Sequence, residues 1–319
     1  KAADAAVVLG PVIARMETRP EADALTFVRA QRLRADIAMG DVKYTDAQAA
    51  ARQAVAVAER QLGPAHAETA TALRTLGEAL MHGDATEEAL AVSARALEAT
   101  LQAHAARPNH PDILRARELR AGVLADAGDL EAAVGELERA LAVKMALQGP
   151  DSKDVGISTH NLSGNQYRLG RLADAVANNE RALTGLADHL DPEAIDYVNI
   201  RNLRALLMVS VRRGRAAIEA AERGQAANTK LLGATHPQTL VNRAVAALGH
   251  GYDGRTEPAR RQMAAVVDDM RTTGTAVPAV LLMAGRLSAL AGARAEAARQ
   301  LDEAAAAAGT APAAARLVA

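Results

Sequence analysis

The chain has no cysteine and no tryptophan, and only one phenylalanine and four tyrosines among 319 residues. Without cysteine there is no disulfide, no thiolate zinc site and no cysteine nucleophile. With so few aromatics the core must be alanine, leucine and valine, which suits closely packed helices better than a β-sandwich. The same scarcity removes the stacking platforms of single-strand nucleic-acid binders. Neither sign of charge is in excess: 37 Lys and Arg face 38 Asp and Glu, a formal net charge of −1. Generic DNA binding would show a strong basic excess, so no nucleic-acid partner is expected. No apolar run approaches the ~20 residues that cross a bilayer, and no signal peptide opens the chain. The first residue is Lys1. The chain is therefore read as a piece of a longer protein, expected to be cytoplasmic, or periplasmic if a membrane segment precedes it.

What is present is repetition. Arg139, Arg181 and Arg223 sit in similar runs ("ELERALAV", "NNERALTG", "AAERGQAA") spaced by 42 residues, and Arg95 precedes them by 44. Gly-polar turns come before these runs at Gly83, Gly128, Gly170 and Gly214, with weaker copies at Gly254 and Gly292. Each unit reads as a helix ending at a glycine, a short turn, a second amphipathic helix and a Gly/Pro/His loop. Such helix pairs bury their apolar faces only when stacked. The fourth copy departs: it is two residues short between Gly214 and Arg223, and Gly224 replaces the usual alanine.

These residues resemble tetratricopeptide repeats. The turn glycine, the alanine five residues later, the "RAL" beyond it and the loop "LGPxHP" are similar to the longer repeat of kinesin light chains and their bacterial relatives. The resemblance implies an all-α, right-handed superhelical solenoid of stacked antiparallel helix pairs. On this reading 1–43 holds a leading helix and a degenerate repeat, and 44–235 is the main array. Degenerate repeats occupy 236–308, and 309–319 is a frayed tail.

The motifs that could carry chemistry read as architecture. "GHGYDG" (Gly249 to Gly254) matches G-x-G-x-x-G in letters, but a helical run precedes it where a dinucleotide site needs a strand. His66, His110 and His236 recur one repeat apart, too far to share an ion, and Ser152 takes their place in the third unit. His104 and His110 are close in sequence, with no third ligand expected beside them. "DHLDPE" (Asp188 to Glu193) lacks the alternation and glycine of a calcium loop and reads as a helix cap. No triad, P-loop or kinase motif appears. No enzyme activity, cofactor or metal is expected.

The family resemblance places function in the groove lined by first helices. Candidate groove residues are Arg74, Glu78, Arg115 and Glu118, then His160, Asn161, Tyr167 and Arg168, then Arg201, Asn202 and Arg204. In this reading "THNL" and "IRNL" put Asn161 and Asn202 in corresponding places. In the family, an asparagine there helps to hold a peptide backbone, donating and accepting at once. The arginines from Arg168 to Arg215 point to an acidic segment in the partner. The expected function is a protein-interaction module of a bacterial signalling protein such as a serine/threonine kinase. The alternatives are the sensor domain of a transcription regulator, or a groove for a small molecule.

Overall fold

The structure, a computed structural model, describes residues 23–191, 194–274 and 276–309. Among these residues are fourteen helices and no strand: α1 (Ala24–Gly40), α2 (Tyr44–Gln61), α3 (Ala67–His82), α4 (Thr86–Ala103), α5 (Pro111–Ala127), α6 (Leu130–Gln148), α7 (Lys153–Arg168), α8 (Leu172–Leu186), α9 (Ile195–Ser210), α10 (Gly214–Leu232), α11 (Pro237–Tyr252), α12 (Thr256–Thr272), α13 (Pro278–Leu290) and α14 (Arg294–Gly309). They form seven helix pairs. Two compact units divide at Leu147 and Gln148, within the stretch read above as one main array. Residues 1–22 and the tail from 310 lie outside the described residues. α1 and α2 make a regular pair.

Each pair turns on one residue in the left-handed conformation, two positions before the second helix. These residues are Val42, Asp84, Gly128, Gly170, Arg212, Gly254 and Gly292, with φ between 56° and 89°. This corrects the register taken from glycines alone. Gly83 has φ −96°, and the left-handed residue is its neighbour Asp84. Gly214 is already the first residue of α10. Counted from the left-handed residue, Arg95, Arg139, Arg181 and Arg223 all lie eleven positions on, so the fourth copy is not short. The period is 42 residues at every step from Gly128 to Gly254, and 44 between Asp84 and Gly128.

The crossing within each pair is small on small. Five positions after the left-handed residue stands alanine in every pair: Ala47, Ala89, Ala133, Ala175, Ala217, Ala259 and Ala297, none more than 5% exposed. Seven positions before it stand Ala35, Gly77, Ala121, Ser163, Ala205, Ala247 and Gly285, all buried. Ser163 Oγ donates to Ala175 O across this crossing at 2.7 Å. Larger residues here would force the helices apart, at about 1–3 kcal/mol each.

Within each unit the first helices also pack on one another: α1, α3 and α5 in the first unit, and α7, α9, α11 and α13 in the second. Long side chains bridge second helices instead. Arg52 reaches Glu88 at 2.7 Å and Arg95 reaches Glu59. Arg260 meets Glu296 at 3.4 Å and Arg271 meets Glu303 at 3.3 Å.

The recurring histidines are helix caps. His66, His110 and His236 are the N-cap residues of α3, α5 and α11, and each accepts through Nδ1 from the backbone N–H two residues on, at 3.1 to 3.3 Å. Ser152 caps α7 through its hydroxyl at 3.2 Å. The acidic loop does not act this way: α9 is capped by Ala194, with no side-chain cap bond.

A β-branched residue in the left-handed region costs about 1–2 kcal/mol, more than glycine loses in chain entropy. Val42→Gly is therefore expected to stabilise the chain by up to about 1 kcal/mol in urea unfolding, and Gly128→Ala to destabilise it by about 1 kcal/mol. Burial, then the charge of His104, holds the His110 imidazole below its ordinary 6.5. Burial has the same effect on His160 and His250. Their neutral forms thus favour the folded state. That contribution is complete above pH 6.5 and is lost as pH falls toward the lowered values. The thermal midpoint should drop on acidification below 6.5, and drop less in His110→Ser, which keeps a cap without an imidazole.

Candidate functional site

The groove candidates of the first unit are engaged in ion pairs. Arg74 pairs with Glu78 along α3. Glu118 meets Lys144 of α6 at 2.5 Å, and Arg115 meets Asp112 at 2.9 Å. Beside them Arg29 and Arg32 of α1 converge on Glu68 of α3, at 2.7 and 2.8 Å. This first-helix row is charged and self-paired.

The second unit is different. The N-caps Ser152 and Ala194 are 42 residues apart, so Asn202 corresponds to His160 and not to Asn161. The likeness of "THNL" to "IRNL" is off register by one residue. Asn161 is exposed on α7. Asn202 Oδ1 accepts from Asn242 Nδ2 of α11 at 2.8 Å and from Asn228 Nδ2 of α10 at 3.4 Å. Asn228 and Asn242 are at most 1% exposed. The three amides meet over Gly224, where a Cβ would lie 2.6 Å from Asn202 Oδ1 and 2.7 Å from Asn242 Nδ2. That contact explains why glycine replaces the repeat's alanine at Gly224.

The remaining candidates divide by direction. Tyr167 packs against the buried core of the second unit. Arg201 lies over the Tyr197 ring, 4.5 Å from its centroid, and Tyr197 packs with Ala182 and Leu186 of α8. Arg204 reaches Glu180 of α8 at 3.2 Å. Arg168 meets Asn165 at 3.5 Å along α7. His160 is half-buried, with Nδ1 enclosed and without a hydrogen-bond partner. The Asp196 carboxylate opposes the burial that lowers its pKa.

A site feature missed in the sequence emerges from the corrected register. Thirteen positions before the left-handed residue, the first unit carries Arg29, Thr71 and Arg115. The second carries Ile157, Asn199, Val241 and Ala279, one per first helix, all uncharged and each half-buried. Three of the four are aliphatic, and Asn199 sets one amide among them. Leu203, Leu206 and Leu282 flank the row, half-buried against the core. Leu203 of α9 approaches Gly164 of α7: a Cβ there would be 4.0 Å from Leu203 Cδ2. The signal was a change of residue type at one repeat position, hidden while Gly83 and Gly214 set the count.

The letter match "GHGYDG" lies mostly in the last turn of α11. A Cβ on Gly249 would meet Ile218 at 2.9 Å and Gly214 O at 3.0 Å, and one on Gly251 would meet Leu287 at 2.5 Å. These glycines serve close helix packing. The reading of His104 and His110 also changes, because Asp112 stands beside both as a third candidate ligand.

The asparagine cluster has a checkable consequence. Gly224→Ala should destabilise the chain by about 1–3 kcal/mol through overpacking. In an Asn202→Ala background the cost should shrink markedly, a coupling measurable by a double-mutant cycle in urea.

Comparison with known proteins agrees with the fold. Residues 108–188 match the tetratricopeptide repeat family. No curated protein sequence matches the chain. A Podosopora anserina protein of kinesin-light-chain type, with nearly identical TPR-like repeats, shares 20% identity over 64% of this chain and 96% of its own, with a TM-score of 0.57. A Rap protein solved with Competence and Sporulation Factor shares 15% identity over 89% of this chain and 75% of its own, with a TM-score of 0.57. The quorum sensor NprR from B. thuringiensis shares 14% identity over 94% of this chain and 84% of its own, with a TM-score of 0.61. The chain thus has an all-α helical-repeat fold with tetratricopeptide repeats at 108–188.

Proposed function

We propose that the chain is a protein-interaction module without enzymatic activity, and that its second unit docks a peptide on the row of first helices α7, α9, α11 and α13. The observation that carries this reading is the uncharged, half-buried series Ile157, Asn199, Val241 and Ala279, placed where the first unit has Arg29, Thr71 and Arg115. Aliphatic side chains at three of four rungs, with Leu203 and Leu282 beside them, offer a peptide apolar contacts. The Asn199 amide among them can donate to and accept from a peptide backbone. His160 and Asn161 supply further polar atoms at the edge of that row, while Asn202 has its Oδ1 engaged by Asn228 and Asn242 and its Nδ2 enclosed. Arg168, Arg201 and Arg204 favour a partner with an acidic flank, although Arg204 is already paired.

The setting we infer is bacterial signalling, with the module recruiting substrates to, or regulating, a larger protein such as a serine/threonine kinase. A sensor role in a transcription regulator is the second reading. It is supported by likeness to the quorum sensor NprR and to a Rap protein bound to a named factor.

The test starts from a peptide selected against the full chain from a random library. Val241→Glu or Leu203→Glu should weaken its binding by at least ~10-fold, about 1.4 kcal/mol, with the helical circular dichroism unchanged. Asn199→Ala removes about one hydrogen bond, about 1 kcal/mol, and should weaken it by ~5-fold. Arg29→Ala, in the first unit, should change it by less than ~2-fold. Raising salt should weaken selectively the peptides that carry an acidic flank. Unaltered affinity in both charged variants would remove the second unit as the docking surface.

A further inference from the structure

We propose that His104, His110 and Asp112 form a binding site for a divalent transition-metal ion of the zinc class. One ligand atom from each of the three lies within 4.8 Å of the others. His104 Nε2 is 3.4 Å from Asp112 Oδ2, and His110 Nδ1 is 3.5 Å from the same oxygen. In a tetrahedral zinc site with bonds of about 2.0–2.1 Å, ligand atoms stand about 3.3 Å apart. Both histidine–carboxylate separations already approximate that edge. Two imidazoles and one carboxylate suit zinc, nickel or copper better than magnesium or calcium, leaving a fourth position for water.

The repeat architecture does not account for this cluster. Capping a first helix takes one side chain, as His66, His236 and Ser152 each show alone. His104 caps no first helix, yet its side chain is 5% exposed. The cluster also falls where the period lengthens from 42 to 44 residues, between Asp84 and Gly128. The extra length and the extra histidine occur in the same α4–α5 connection.

The metal-free geometry indicates what must move. The two rings are stacked, 3.6 Å between centroids and 9° from parallel, so their in-plane lone pairs do not yet converge. His110, the more exposed of the two at 23%, is the ring that turns, and its Nδ1 lone pair must leave the cap bond it accepts from the Asp112 N–H before it can bind the ion. His104 Nδ1 lies 3.3 Å from Arg107 Nη2. When Nε2 binds the ion, the imidazole proton resides on Nδ1, and the Arg107 contact is released. Arg115, 2.9 Å from Asp112 Oδ1, is a second competing cation. The ion would tie the end of α4 to the start of α5.

The test is a calorimetric titration of the untagged, chelator-stripped full chain with Zn2+ alone, near neutral pH, beside the same titration with Mg2+. One equivalent of Zn2+ should bind and Mg2+ should not. His110→Ser keeps a helix cap, as Ser152 does, and should weaken Zn2+ binding by at least ~10-fold. His104→Ala and Asp112→Asn should do the same, and His66→Ala should not. Arg107→Ala, which removes a competing cation, should bind Zn2+ more tightly. Zn2+ should raise the unfolding temperature of the wild type and leave that of His110→Ser unchanged. Absence of binding in the wild type, or undiminished binding in His110→Ser and His104→Ala, would overturn the site.

Discussion

Everything in this chain depends on how closely the two helices of a pair can approach. The alanine after each turn and the alanine, glycine or serine before it leave backbone nearly against backbone, as the Ser163 bond to Ala175 O records. A chain with one phenylalanine and no tryptophan has few large side chains with which to fill a core. Close approach is its alternative: dense packing from many short contacts, not from a few large rings. The left-handed turn residue sets the phase of both small positions, and so fixes which side chains are left facing outward.

The sequence was legible at the level of the unit. Helix pairs, a period near 42 and a loop role for His66, His110, Ser152 and His236 follow from local chemistry that residues express by themselves; that these four cap the first helices, and that "GHGYDG" packs in the last turn of α11 and is no loose inter-helix turn, emerged only in the fold. It was less legible at single-residue register. Glycine is the usual left-handed residue and aspartate, as at Asp84, an accepted one, but Val42 and Arg212 also adopt that conformation, which no propensity announces. The letter match of "THNL" to "IRNL" aligned Asn161 with Asn202, and an error of one or two positions at Gly83 and Gly214 hid the row from Ile157 to Ala279. Asp112 was missed beside His104 for a related reason. The connection folds back at the start of α5 and brings together residues eight apart.

The two units share a plan and differ in what they show on it. In the first, arginines and acids on the first-helix row satisfy one another through Glu68 and Glu78, and Glu118 is satisfied by Lys144 of α6. Paired charges at partly exposed positions add little stability, and they keep an otherwise apolar row wet and unattractive to partners. In the second, Ile157, Val241 and Leu203 keep part of their surface in water, and Asn199 interrupts them with a single amide. Amides with unmet hydrogen-bonding capacity also stand at Asn202, Asn228 and Asn242. The uneven chemistry of one architecture is where function separates from fold.

The bridging of second helices by arginine and glutamate side chains has a mechanical consequence. Neighbouring first helices are in direct contact in each unit, whereas the second helices α2 and α4 in one unit, and α12 and α14 in the other, are joined by long rotatable tethers. Such a step is stiff on its first-helix side and compliant on its second-helix side, like the spine and the open pages of a book. Thermal bending would then be absorbed at the tethered edge. The rung-to-rung spacing of the first helices would stay nearly constant while the opposite edge breathes.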